Sequence, residues 1–390
     1  MIQAVCRISK DAACGHGRAT SWVLGCAAIV ILAFSGCALI DKSHDSAKYG
    51  SFDGTSPGVL GRGKPFIEPW FYAGNVGQSI RTTHYRIHTT SRNDSLNRVL
   101  PMLYESANLV YRRMLGSPSN DRPLVPSYAR NKSEERMDVY LFGTRGEWEQ
   151  FSTDLLVLRA KQYFRIKRGG FSTRGSSIIY DLGVPDTIRI AAHEGWHQFV
   201  QANFAEPLPV WLDEGMATRM EAMVPVENAR AFEIHPWVNI ARLRRIRELW
   251  RTNRLRPIAE LIVANPDTLL YESDDAVLDY YAQVWGFALF LEEYDHGRYA
   301  DRLQLLLRDA RDHRLSGRIR ASIDGEMNAD HRVSKEDITQ DSVLRIYFNR
   351  NLEAMQNEWI DFIEIVCAEG AEQVAARGRS PYRYSWSDLH

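Results

Sequence analysis

Ala191-Ala192-His193-Glu194-Gly195-Trp196-His197-Gln198, followed downstream by Leu208-Pro209-Val210-Trp211-Leu212-Asp213-Glu214-Gly215, is the stretch on which the reading of this chain turns. The first block is an H-E-x-x-H pattern. Residues four apart share one face of a helix, so His193 and His197 can offer ring nitrogens to a single metal ion. Glu194 can then lean toward a water on that ion. A catalytic zinc takes three protein ligands and keeps one position for water, and Glu214 is the candidate for the third. Trp211-Leu212-Asp213-Glu214-Gly215-Met216-Ala217 reads as a helix start with the acid in its first turns, after a proline-containing loop that can fold the chain back. The competing structural reading is a buried helix whose histidines are merely hydrogen-bonded.

Around the motif, Ile188, Ala191, Ala192, Trp196, Phe199 and Val200 leave little polar surface, so the helix is expected to be buried, with Asp186 as its N-cap. Upstream, alternation over Thr82–Thr89 predicts a first strand, with His84 and His88 on one face as packed histidines. Leu96, Leu100, Leu103, Ala107, Val110 and Met114 recur at helical spacing up to Gly116. Met137–Phe142 reads as a second strand, turning at Gly143–Gly146 into a helix near Glu147. Gly169–Thr173, continuing to Ser177–Tyr180, reads as a glycine-led strand close to the site. Beyond Glu214, helix-like periodicity covers 238–250, 275–294, 298–312, 334–347 and 351–367. No internal repeat is present.

The 390 residues suffice for one large domain or two modest ones, and 45% hydrophobic with 25% charged residues is ordinary for a globular chain. A formal net charge of -1 gives no reason to invoke nucleic acid. The basic runs from Arg242 and from Arg251 read as solvated helix faces or as contacts with an anionic surface. Cysteines cluster at Cys6, Cys14, Cys26 and Cys37, with only Cys367 beyond, so no disulfide framework is expected within the folded part unless Cys37 and Cys367 pair.

The apolar run at residues 22–34 follows Arg7, Lys10 and Arg18 and has the form of a signal-peptide core, short for a spanning helix. It ends Leu32-Ala33-Phe34-Ser35-Gly36-Cys37, which resembles the lipobox of bacterial lipoproteins, with Phe34 in place of the usual leucine. The resemblance implies lipidation of Cys37 and a cell-envelope, extracytoplasmic location at a membrane. An uncleaved anchor is the alternative. The organisation expected is 1–37 signal peptide, 38–80 flexible tether, 81–205 sheet-containing subdomain with the motif helix, 206–370 helical subdomain with Glu214 and Tyr281, and 371–390 loose tail.

H-E-x-x-H followed by W-L-x-E-G on a second helix resembles the gluzincin clan of zinc metallopeptidases, closest to an uncharacterised family of predicted bacterial lipoprotein peptidases, over residues 80–310. The resemblance implies an α+β, zincin-like fold, with a small twisted sheet over the motif helix and a mainly helical C-terminal half. It also implies that His193, His197 and Glu214 bind zinc and that Glu194 is the general base. Tyr281, in Asp279-Tyr280-Tyr281-Ala282, resembles the oxyanion-donating tyrosine of similar families, with Tyr280 and His235 as further candidates. Gly170, Phe171 and Ser172 correspond to the strand that pairs with a peptide substrate. Asp213 either orients a ligand histidine or serves the charge balance of its helix start.

The activity these features imply is hydrolysis of a peptide or protein substrate. Two alternatives stand beside it: an inactive peptide- or cell-wall-binding lipoprotein on the same scaffold, and a zinc hydrolase of a non-peptide amide. Binding alone has no need of a general base beside three metal ligands, which weighs against the first. Fold analogy does not separate the second from peptidase action.

Overall fold

The computed structural model describes residues 65–116, 136–156, 164, 169–227, 230–324, 340–349 and 351–384. Cys37, the apolar run and most of the expected tether lie outside the described residues. The architecture is α+β. A six-stranded sheet consists of β1 (Phe66–Tyr72), β2 (Asn75–Arg81), β3 (Tyr85–Thr89), β4 (Met137–Phe142), β5 (Gly170–Thr173) and β6 (Ser176–Tyr180), in the order β1-β2-β3-β4-β6-β5. The central neighbours β3, β4 and β6 run parallel, and the outer pairings are antiparallel.

Parallel neighbours need crossovers. One is α1 (Asp94–Met114), between β3 and β4, and another passes through α2 (Arg145–Leu156). Asn93 caps α1 by accepting from the Leu96 N–H, and its buried face carries Leu96, Leu100, Leu103 and Ala107 as the spacing predicts. The motif helix α3 (Val184–Asn203) packs on β5, β6 and α1. Gly195 makes the α1 contact possible, because a Cβ there would meet the Tyr111 hydroxyl at 3.1 Å and the Tyr104 ring at 3.3 Å.

The second half is mainly helical: α4 (Val210–Met220), α5 (Ile240–Arg251), α6 (Ile258–Leu261), α7 (Pro266–Glu272), α8 (Asp274–Gly297), α9 (Ala300–Arg311), α10 (Leu315–Asp324), α11 (Gln340–Tyr347), α12 (Leu352–Val366) and α13 (Ala371–Ala376). Helix α8 is the hub of this half, packing on α4, α5, α7, α9 and α12. Its closest partner is α4. Gly215 permits that approach, since a Cβ would lie 2.7 Å from the Val284 carbonyl oxygen.

Several expectations need correction. The part of the tether read at 66–80 is the β1–β2 hairpin. Its glycines looked like linker composition, yet a Cβ at Gly77 would lie 2.0 Å from the Thr89 carbonyl oxygen, so glycine is what lets β3 close on β2. The turn needs positive φ at Ala73 (49°) and Gly74 (81°). The glycine-led strand is two strands joined at Arg174 and Gly175, also with positive φ. Helix α3 is capped at Gly183, not Asp186; Pro185 lacks an N–H and suits the first turn, which leaves Asp186 inside it. A small ribbon, β7 (Met223–Pro225) with β8 (Phe232–Ile234), interrupts the helical half. The tail is not loose at its start, because Ala371, Val374 and Ala375 of α13 are buried.

Candidate metal centre

Helix α3 runs through the interior, and every residue from Ile190 to Val200 is buried. Within that apolar shell, His193 and His197 stand one turn apart. Their Nε2 atoms lie 3.2 Å from each other, and Glu214 Oε2, from α4, lies 3.5 Å from the first and 3.6 Å from the second. These three form the one group of potential metal-binding side chains among the described residues.

Each histidine is held from behind. His193 Nδ1 sits 3.1 Å from Glu221 Oε1, and His197 Nδ1 sits 3.1 Å from Asp213 Oδ2. The other Asp213 oxygen accepts from the Trp196 indole N–H at 2.8 Å. Glu221 in turn receives the Arg242 guanidinium at 2.9 Å and the Asn239 amide at 2.9 Å. Asp213 thus meets a histidine and also lies in the first turn of α4, so both of its expected placements are present. Glu221 and Asn239 carry no sequence signal, and Arg242, which heads a basic run read as a solvated helix face or an anionic-surface contact, is instead buried against Glu221. Twenty-eight positions separate Glu221 from His193, and only the packing of α5 brings the arginine in.

The donor set fits a metal ion. With each Nδ1–H given to a carboxylate, both Nε2 atoms present lone pairs to one another and to Glu214 Oε2, an oxygen that is buried with no hydrogen-bond partner. Three converging acceptors need a positive charge among them. Burial opposes charge on His193 and His197, but Glu214 with Glu221, and Asp213 with Glu214, outweigh it and raise both pKa values. Burial likewise opposes charge on Glu214, yet the two histidines hold its pKa at about 2. A tetrahedral ion at ordinary zinc–nitrogen distances would place the two nitrogens roughly 3.3 Å apart. The observed spacing matches without rearrangement.

Glu194 is on the same helix turn and is fully buried. Its Oε2 accepts from the Ser172 hydroxyl at 2.9 Å, while Oε1 is buried without a partner. Burial, reinforced by Glu214 and opposed by the histidines and Ser172, raises its pKa to about 7. That places it where a group can both take and return a proton near neutral pH.

Tyr281, on α8, packs its ring edge-on to His193 with centroids 6.2 Å apart, and the Arg242 guanidinium lies 5.4 Å from the Tyr281 ring. Tyr280 is also buried, and its hydroxyl has no hydrogen-bond partner. Burial, and then the charge of Glu214, push both phenols well up, so both are protonated donors. His235 is not brought to the cluster. It is partly exposed, lies 3.5 Å from Glu233 and borders Gly378.

The strand read as a substrate platform is β5, the last strand of the sheet. Gly170, Phe171 and Ser172 are all buried. Ser172 spends its hydroxyl on Glu194, and its carbonyl oxygen accepts from Gln201 at 3.2 Å. A Cβ on Gly170 would meet Ile179 at 2.5 Å, so glycine is what the β5–β6 hairpin needs there. His84 and His88 face Glu105 and Asp138 and take no part in the centre.

A family model described as a protein of unknown function (DUF1570) matches residues 187–310. No curated protein and no solved structure matches the chain. The matched segment starts inside α3 and ends inside α9, so it contains His193, His197, Glu214, Glu221, Arg242 and both tyrosines.

Proposed function

We propose that this chain is a zinc-dependent hydrolase of peptide bonds, working outside the cytoplasm and held at a membrane by lipid on Cys37. One observation carries the hydrolase reading. Two histidines and a glutamate converge on a common point, each histidine is braced by its own carboxylate, and a fourth acid beside them keeps one oxygen uncommitted. A purely structural histidine pair would not need that fourth group.

Zinc held by His193, His197 and Glu214 supplies a Lewis acid that acidifies a water and polarises a carbonyl. The rest falls to the chain. Glu194 Oε1 receives the water's proton and passes it to the departing amine. Asp213 and Glu221 hold the two imidazoles in the tautomer that turns Nε2 inward. Tyr280 or Tyr281 donates to the developing oxyanion, and the unpartnered Tyr280 hydroxyl favours that residue. A zincin-like arrangement is supported by the motif helix packed beneath a mixed sheet, with the glutamate helix beside it.

Elemental analysis of the purified protein, paired with Glu194→Gln, tests the reading. One zinc per chain is expected, with metal content retained and turnover of a broad peptide library abolished in the variant. A chain without stoichiometric metal overturns the proposal, and unchanged turnover removes Glu194 from its role. Labelling with radioactive palmitate, lost in Cys37→Ala, tests the anchor.

A further inference from the structure

The large apolar side chains exposed on the described residues are concentrated in one place. Phe66, Ile67, Phe71 and Val76 are between 55% and 67% exposed, and all lie on the β1–β2 hairpin. Phe66 is stacked by the Arg81 guanidinium at 4.5 Å. The other three share one face, because Phe71 pairs directly with Val76 and Ile67 pairs with Ile80. From Pro69 to Ile80 the hairpin carries no charged side chain. Glu68 and Arg81 neutralise each other at the base, and Glu147 and Asp154 of α2 accept from Asn75 and Tyr72 near the turn. The face formed by Ile67, Phe71 and Val76 itself carries no charge, and an exposed apolar surface of this kind calls for a partner.

From these observations we infer that the Ile67–Phe71–Val76 face of the hairpin seats in the headgroup region of a lipid bilayer. This rests on the proposed anchor. Cys37 precedes Phe66 by a segment that, even fully extended, spans no more than about 100 Å, so a lipidated chain keeps the hairpin, the first described element after the anchor, within that reach of the membrane. The alternative of adding a partner strand at the outer edge of β1 is opposed by Pro69, which lacks an N–H in mid-strand. The face, not the edge, is available. Phe71 and Val76 at the tip, with Ile67 on the same face, are apolar residues suited to the membrane interface, while Trp70 and Tyr72 turn to the opposite face and pack on Tyr140 and Phe142. Such seating would fix the orientation of the metal centre relative to the membrane surface.

Photo-crosslinking of the full chain in bacterial membranes tests this, with benzoylphenylalanine placed in turn at positions 67, 71 and 76, and at Tyr271 and Ile365 as exposed controls. Phospholipid adducts, identified by mass, are expected at the hairpin positions and not at the controls. Adducts to another protein, to a second copy or to residues 1–64, or no adduct at all, overturn the inference. A separate arm adds the Cys37→Ala chain to phosphatidylethanolamine–phosphatidylglycerol vesicles. Retention is expected there, and Phe71→Ser with Val76→Ser is expected to reduce it about tenfold while leaving the melting temperature unchanged. If the full chain fractionates as soluble, the anchor fails. Hairpin adducts on vesicles would then still uphold the inference, and their absence would overturn it independently.

Discussion

Glu221 Oε1 lies 3.1 Å from His193 Nδ1, and the same carboxylate receives Arg242 at 2.9 Å. Residues from three helical segments thus act in series on one imidazole. The arginine fixes the carboxylate, and the carboxylate fixes which ring nitrogen of His193 carries the proton. His197 is fixed likewise by Asp213 and Trp196. Removing such a partner typically lowers metal affinity by about 10–100-fold.

Glu221→Gln is therefore expected to weaken zinc binding by that order, read by competition with a chromophoric chelator. A neutral amide keeps the shape of the site but gives up the charge that Arg242 and His193 share. Affinity equal to the parent would mean that the contact is only packing.

Asp213→Ala has a second consequence. It leaves the Trp196 indole N–H buried without an acceptor, which costs about 1–3 kcal/mol. Lower zinc affinity, a lower melting temperature and altered tryptophan emission are expected together. A drop in affinity with unchanged emission would separate the histidine contact from the indole contact.

Ser172→Ala bears on the proton chemistry. Burial raises the Glu194 pKa to about 7 even though the Ser172 hydroxyl lowers it. A general base works when deprotonated, so activity should rise with pH through its pKa. Removing the hydroxyl raises that pKa and should displace the acidic limb of the pH–rate profile to higher pH. A metal ion at the site would lower the pKa in parent and variant alike, so the difference between them is the measurement.

Stability should also depend on pH through Glu221. Burial resists its charge, but Arg242 and His193 hold its pKa at about 2, below the ordinary 4.5. The stabilisation is thus present above about pH 4.5 and is lost as pH falls toward 2. Denaturation of the metal-free protein across that range should be less steep in Glu221→Gln.

Gly215→Ala is expected to lower the melting temperature, because the added Cβ would lie 2.7 Å from the Val284 carbonyl oxygen and 3.3 Å from Ala288. Overpacking of this kind costs about 1–3 kcal/mol. Glu214 is adjacent, so zinc affinity should fall as α4 is pushed from α8.

Local pattern made much of this legible. Periodicity over Leu96–Ala107, the apolar surround of His193 and His197, and the strand at Met137–Phe142 are short-range properties of the chain, and the structure has elements in those places. The start of α3 at Gly183 is local but turns on a backbone conformation, whereas the hairpin at 66–80 and the packed start of the tail depend on contacts distant in sequence. Gly77 against Thr89 and Gly215 against Val284 are of this kind.

By itself the sequence determined that two histidines one helix turn apart, with a glutamate downstream, could meet at a metal, because helical spacing is a property of neighbours. Only the tertiary structure decided what stands behind them: Glu221 with Arg242 on one side, Asp213 with Trp196 on the other, and Ser172 on Glu194. Those contacts join segments whose separation no local rule spans, and they exist because α4 and β5 pack on the motif helix and α5 brings Arg242 to Glu221.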